Sequence, residues 1–209
     1  MLLLLQIVAF AGAAHAERNA VFLFEVEKWD WELESISELA FVYYSNTYLS
    51  ESYDNFYWLV NTDLMPDNFI GTIQEVAQAS TVLDLYTVTH GGEMYIMGHY
   101  DTKIYTDDLL SLSDSGKMGS LRFVYLGSCN AYKLTDEFIK IGAVSAIGNV
   151  DYNVNGTMYP VFIENFGIKN GQDGLPLSQA MQIAVGESGM NYQINGNPDI
   201  TMMWEPENQ

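Results

Sequence analysis

The feature that most constrains this chain is the alternation of short apolar strands with segments of helical periodicity. The strand-like runs cover residues 21–26, 56–60, 82–89, 121–126 and 143–147. Apolar residues recur at helical spacing over residues 31–40, 67–77, 106–112, 135–141, 160–166 and 178–185. Because the strand-like runs are too apolar for strands with one solvated face, they indicate a parallel sheet covered on both sides. The sequence predicts an α/β fold, a three-layer α/β/α sandwich with a mostly parallel central sheet.

Three local features are also predicted. Asp67 is expected to cap the helix over residues 67–77. Residues 93–99 are expected to form a small β excursion between a strand and the next helix. Residues 195–198, Asn-Gly-Asn-Pro, form a turn pattern that predicts a final strand over residues 200–203.

The N-terminal residues have the pattern of a signal peptide. Residues 2–10 are almost wholly apolar, and Ala14-His15-Ala16 matches the small-x-small site of signal peptidase. The pattern predicts a signal peptide over residues 1–16 and a single domain over residues 17–209, secreted or periplasmic. The alternative is a buried N-terminal strand or a membrane anchor.

The charge balance excludes whole classes of partner. The chain has 27 acidic residues against 8 basic ones, for a formal net charge of −19. A chain this acidic cannot neutralise phosphates, so we expect no nucleic-acid partner. We also expect no membrane partner, apart from the membrane that the protein crosses during export. The negative charge favours cationic substrates or divalent ions instead.

A lone cysteine and a histidine follow two of the apolar strands. Ligands in parallel sheets bind beyond the carboxyl ends of the strands, so His90 and Cys129 would share one crevice if their strands are neighbours. The single cysteine excludes an internal disulfide, and a thiol with a nearby imidazole is a candidate nucleophile. Gly91 and the Cys129 amide are the candidates for an oxyanion hole. The alternatives are a buried structural cysteine and a hydrogen-bonded turn histidine.

These residues resemble a known family. Residues 86–92, Tyr-Thr-Val-Thr-His-Gly-Gly, and residues 121–129, which end in Gly-Ser-Cys, resemble the two catalytic strands of the caspase-like cysteine peptidases. The hairpin-like residues 94–98, the helix-like residues 106–110, the 39-residue spacing and the Gly196-Asn197-Pro198-Asp199 turn are similar too. The resemblance covers residues 21–203 and implies that fold, a peptide or protein substrate, His90 as base and Cys129 as nucleophile.

Substrate preference departs from that of caspases. The caspase pentapeptide is replaced by Gly-Ser-Cys-Asn-Ala, and the chain has only two arginines, Arg18 and Arg122, to hold a P1 aspartate. Basic-specific members of the family place an acidic residue in the S1 pocket, and Asp151 is the candidate here. The alternative for Asp151 is a solvated loop aspartate.

No cofactor or metal is predicted, with calcium as the alternative. Calcium binds several members of the family, but an Asp-x-Asp-x-Asp-Gly loop is missing from the sequence. His99 and Asp101 lack a trustworthy spacing for joining His90 as metal ligands. The sequence therefore predicts an exported cysteine endopeptidase that works through a Cys-His dyad and an acyl-enzyme. Two alternatives remain: a catalytically inactive caspase-like binding or scaffold domain, and another α/β hydrolase or transferase.

Overall fold

The computed structural model describes residues 17–25, 31–60, 63–114, 118–151 and 158–202, with the backbone alone for residues 31–38 and 113–114. Its strands are β1 (Arg18–Glu25), β2 (Asn55–Val60), β3 (Val82–Thr89), β4 (Gly91–Gly92), β5 (Tyr95–Met97), β6 (Lys103–Tyr105), β7 (Leu121–Leu126), β8 (Ser145–Asn149) and β9 (Tyr192–Gly196). Its α-helices are α1 (Trp31–Tyr48), α2 (Pro66–Ala79), α3 (Thr106–Asp114), α4 (Leu134–Lys140), α5 (Met158–Phe166) and α6 (Leu177–Ser188).

The central sheet has the strand order β2-β1-β3-β7-β8-β9. All of its pairings are parallel except the last, in which β9 runs antiparallel to β8. Strands β4, β5 and β6 form a separate antiparallel sheet after β3, where the sequence predicts a β excursion. The predicted α/β fold with a mostly parallel central sheet is confirmed.

The sheet separates two hydrophobic cores because alternate side chains of a strand point to opposite faces. In β1, Val21 and Leu23 contact one core, whereas Phe22 and Phe24 contact the other. Residues of α2, α3 and α4 complete the first core. Residues of α1, α5 and α6 complete the second, which is rich in stacked aromatic rings. The predicted three layers are therefore present.

The predicted N-cap of the second helix is wrong. Helix α2 begins at Pro66 with Met65 as its N-cap, so Asp67 lies in the first turn rather than at the cap. Proline suits this first position because its missing N–H would have no helical partner. In α1, Leu39 is 69% exposed, whereas Phe41 is buried in the second core.

The last strand is also not where the sequence predicts it. Residues 200–202 form no strand, and Met203 lies outside the described residues. Ile200 and Met202 are apolar because they are buried in the second core, not because they pair in the sheet. The true last strand, β9, is an edge strand of mixed polarity, which gives no apolar run in the sequence.

The predicted signal peptide, residues 1–16, lies outside the described residues and stays a prediction. Within the described part of the chain, the helices are all too short or too polar to traverse a bilayer.

A buried ion pair joins β3 to β7 at a break in their register. Leu83 pairs with Leu121, but Asp84 pairs with Phe123, so Arg122 is an extra residue in β7. Arg122 donates to both carboxylate oxygens of Asp84, at 3.0 and 2.5 Å, and both side chains are fully buried. The Tyr53 hydroxyl also donates to Asp84, and Arg122 donates to the main-chain oxygen of Met202 at 2.6 Å. Because every charged group in this network is paired, the burial is tolerated.

Removing one partner of this pair should destabilise the domain, because the other charge stays in the core. We expect Arg122→Met or Asp84→Leu alone to lower the free energy of unfolding by about 3–5 kcal/mol, measured by urea denaturation. Lys140→Met is the control, because Lys140 forms an exposed ion pair with Glu137. The double variant should lose less than the sum of the single losses, and additive losses would contradict direct coupling.

Candidate active site

His90 and Cys129 follow the carboxyl ends of two neighbouring strands. Strands β3 and β7 are neighbours, and beyond the extra residue Arg122 each residue of β3 pairs with the residue 39 positions later, as Thr87 does with Leu126. His90 and Cys129 are also 39 positions apart, so each lies three residues beyond that pair. The shared crevice was predicted on the condition that the two strands are neighbours, and they are.

Direct contacts continue this alignment past the ends of the strands. The Gly127 amide donates to the Thr87 oxygen at 2.8 Å, and the Thr89 and Ser128 hydroxyls are 2.9 Å apart. A Cβ added to Gly91 would lie 2.7 Å from the Ser128 Cβ, so only glycine allows this approach. Residues on both sides of His90 thus contact the residue before Cys129.

The backbone around His90 is held by two further elements. Its amide donates to the main-chain oxygen of Glu25, the last residue of β1, at 3.2 Å, and its oxygen accepts from the Met97 amide of β5 at 2.9 Å. The Glu25 side chain is buried, and His99 Nδ1 lies 3.4 Å from its carboxylate. His99 therefore pairs with Glu25, while Asp101 is exposed. Across the described ranges, no three His, Cys, Asp or Glu side chains are grouped as metal ligands would be.

Cys129 is a free, half-buried thiol in the turn after β7. The Tyr159 hydroxyl donates to the main-chain oxygen of Gly127 in the same turn. Burial raises the pKa of Tyr159 well above its ordinary value, and the neighbouring Tyr125 and Cys129 add to this effect. Tyr159 therefore stays protonated beside the thiol. Tyr159 is not predicted from the sequence, because the only local feature that marks it is its position just before Pro160 at the start of a helix.

Asp151 lies at the same edge, just beyond β8. Its main-chain oxygen accepts from the amide of Asn130, the residue after Cys129, at 2.9 Å. Its carboxylate accepts from the Asn191 amide at 3.1 Å and from the Asn191 side chain at 3.2 Å. The structure thus brings His90, Gly91, Cys129 and Asp151 to one edge of the sheet, just beyond the carboxyl ends of three adjacent strands, β3, β7 and β8.

A second side chain that was not predicted from the sequence, that of Glu93, connects the two loops that carry His90 and Cys129. Glu93, in the turn between β4 and β5, accepts from the Asn130 side chain at 3.0 Å and from the Lys133 ammonium. Hydrogen bonds from Lys133 and Asn130 hold the pKa of Glu93 below its ordinary value. No local sequence pattern signals these contacts, because Asn130 and Lys133 come 37 and 40 residues after Glu93 in the chain.

Neither arginine is placed at this edge. Arg18 begins β1 at the opposite end of the sheet, and Arg122 is buried against Asp84. The chain therefore offers no arginine side chain at the candidate site for a P1 aspartate, as the composition predicted.

No protein-family model matches the sequence, and a search of curated proteins finds no match. Similar solved structures are found instead. The Arg-specific cysteine proteinase gingipain R (RgpB) matches 90% of this chain and 50% of its own, with a TM-score of 0.61 and 11% identity. RgpB of Porphyromonas gingivalis, in a complex of its pro- and mature domains, matches 88% of this chain and 50% of its own, with a TM-score of 0.56 and 13% identity.

A secreted C11 cysteine protease from Bacteroides thetaiotaomicron, in complex with an irreversible peptide inhibitor, is also similar. It matches 82% of this chain and 57% of its own, with a TM-score of 0.54 and 10% identity. The chain spans about half the length of these structures. At such identities the likeness concerns the fold, and it confirms the resemblance predicted from the sequence: this chain has the α/β fold of the caspase-like cysteine peptidases.

Proposed function

We propose that this chain is an exported cysteine endopeptidase that hydrolyses peptide bonds through His90 and Cys129. The observation that carries the proposal is the shared 39-residue offset, which aligns these two residues beyond neighbouring parallel strands. The contact between the Thr89 and Ser128 hydroxyls supports it, since it holds the adjoining residues together. The likeness to proteins described as cysteine proteases supports the class of reaction.

The reaction follows from the chemistry of a thiol and an imidazole. Cys129 Sγ attacks the scissile carbonyl carbon, and the thiol proton passes to His90. His90 gives the proton to the leaving amine as the C–N bond breaks, which leaves a thioester on Cys129. Water then hydrolyses the thioester, releasing the acid product and restoring the thiol. The amides of Gly91 and Cys129 stabilise the oxyanion.

We further propose a preference for a basic residue at P1. Asp151 lies next to the Cys129 turn, and its Asn191 partners hold it in place without neutralising its charge. A fixed carboxylate attracts a lysine or arginine side chain. The net charge of −19 also draws cationic substrates toward the protein. The similar gingipain R is described as Arg-specific, in line with this preference.

Export rests on the sequence of residues 1–16, with its apolar run and Ala14-His15-Ala16 site. The similar C11 protease is itself described as secreted. The mature protein would then begin at Glu17, one residue before β1.

The first test is the pH dependence of iodoacetamide alkylation. Because Cys129 is the single cysteine of the chain, alkylation reports on this residue alone. We expect rapid reaction well below pH ~8.5, the usual pKa of a free thiol, and loss of this reactivity in His90→Ala. Identical profiles in the two proteins would overturn the proposed dyad and favour the binding-domain alternative.

A second test uses the close approach at Gly91. Gly91→Ala places a Cβ against Ser128 and should push the two loops apart, which lowers kcat by about 100-fold with little change in KM. Gly71→Ala is the matched control, because a Cβ at Gly71 meets no atom within 4 Å. Steady-state kinetics on the best peptide from a library measures both, and equal activities would argue against this role of Gly91.

A third test concerns Asp151. Asp151→Asn should raise KM for peptides with lysine or arginine at P1 by about tenfold, because one charge-assisted contact is lost. Peptides with an uncharged P1 residue should be unaffected. Asp173→Asn, which removes an exposed partner of Lys169, is the control for a general loss of negative charge. A uniform effect on all peptides would count against Asp151 as the P1 contact.

A further inference from the structure

Glu93 connects the loop after His90 to the loop after Cys129 through both of its carboxylate oxygens. One oxygen accepts from Asn130 Nδ2 at 3.0 Å, and the other accepts from Lys133 Nζ. Asn130 follows Cys129 directly, and Glu93 is three residues after His90. A single side chain on the histidine loop is therefore held at two points by the cysteine loop.

Asn130 extends the connection to a third strand end. Its backbone is left-handed, with a φ of 53°, a conformation that asparagine tolerates better than most residues. In this conformation its amide donates to the Asp151 oxygen and its side chain donates to Glu93, and the residue as a whole is only 4% exposed. Buried side-chain amides need such partners, so the direction of Asn130 is tied to the carboxylate of Glu93.

The Glu93–Lys133 ion pair alone would contribute little to stability. Side-chain exposures of 40% and 41% leave it largely solvated. Its effect is on orientation, because two donors at different positions fix the carboxylate and the backbone that carries it. The carboxylate is ionised at neutral pH, and the two hydrogen bonds lower the pKa of Glu93, so both contacts persist to a lower pH than the ordinary pKa of a glutamate would allow.

We propose that Glu93 is a positioning residue that joins the His90 and Cys129 loops through Asn130 and Lys133 and so sets the separation of the imidazole and the thiol. The proposal rests on the proposed function. Glu93 acts through the two loops and does not bind the substrate. Proton transfer between the thiol and the imidazole needs hydrogen-bond distance, so a small displacement of either loop slows it steeply.

The test is a double-mutant cycle read by iodoacetamide alkylation of Cys129 across pH. The proteins are the wild type, Glu93→Ala, His90→Ala and the double variant. We expect Glu93→Ala to slow alkylation near neutral pH by about tenfold, the equivalent of one charge-assisted hydrogen bond. In the His90→Ala background the same change should have no effect, because no His–Cys pair remains to be positioned.

Two further variants separate positioning from loss of charge. Glu93→Gln keeps an oxygen that can accept from Asn130 but loses the ion pair with Lys133, so its rate should lie between those of the wild type and Glu93→Ala. Glu137→Gln breaks the exposed Lys140–Glu137 pair on α4 and should match the wild type. Amide hydrogen exchange should be faster at Asn130 and Gly92 in Glu93→Ala than in the wild type, since the loops are no longer joined.

The outcomes are distinguishable. Equal slowing by Glu93→Ala in both backgrounds, or in neither, overturns the positioning role while the His90 dependence of the wild type still supports the proposed function. Equal alkylation of the wild type and His90→Ala overturns the proposed function, and the positioning role with it. Unchanged exchange at Asn130 in Glu93→Ala overturns the connection between the loops, whatever the alkylation rates.

Discussion

The register of β3 against β7 is the constraint on which the candidate site depends. Before Arg122 the paired residues are 38 positions apart, and after it they are 39 apart. If the pairing continued without a bulge at the 38-residue offset, His90 would be level with Ser128, and the side chains of β7 beyond Leu121 would face the opposite cores. The buried pair of Arg122 and Asp84 lies at this break, so a contact in the core coincides with the register that aligns His90 and Cys129 at the edge.

Two polar networks join β3 and β7 at different places. One lies within the strands, and the other lies in the loops that follow them. The Arg122–Asp84 network is fully buried, and its cost of desolvation is offset only by complete pairing. The Glu93 contacts are half exposed and contribute little to stability, yet they connect the loops that carry His90 and Cys129. An exposed carboxylate with two partners from one neighbouring loop is better explained by orientation than by stabilisation.

The sequence predicts the parts of this structure that depend on local pattern. The apolar runs of β3 and β7 indicate buried parallel strands, and the rule for ligands at their carboxyl ends picks out His90 and Cys129. Long-range pairing is beyond such patterns. Strand β9 was missed because an edge strand needs no apolar run, and Glu93 was missed because its partners come from another loop.

The hydrogen bonds from Arg122 to Thr201 and Met202 have a consequence for how the domain folds. Arg122 lies in a central strand, but two of its acceptors are at the far end of the described chain. A domain folded only as far as α6 would hold a guanidinium with unsatisfied donors in its core. The buried guanidinium in the middle of the sheet can therefore be fully paired only when residues 201–202 are in place, which couples β7 to the segment that follows β9.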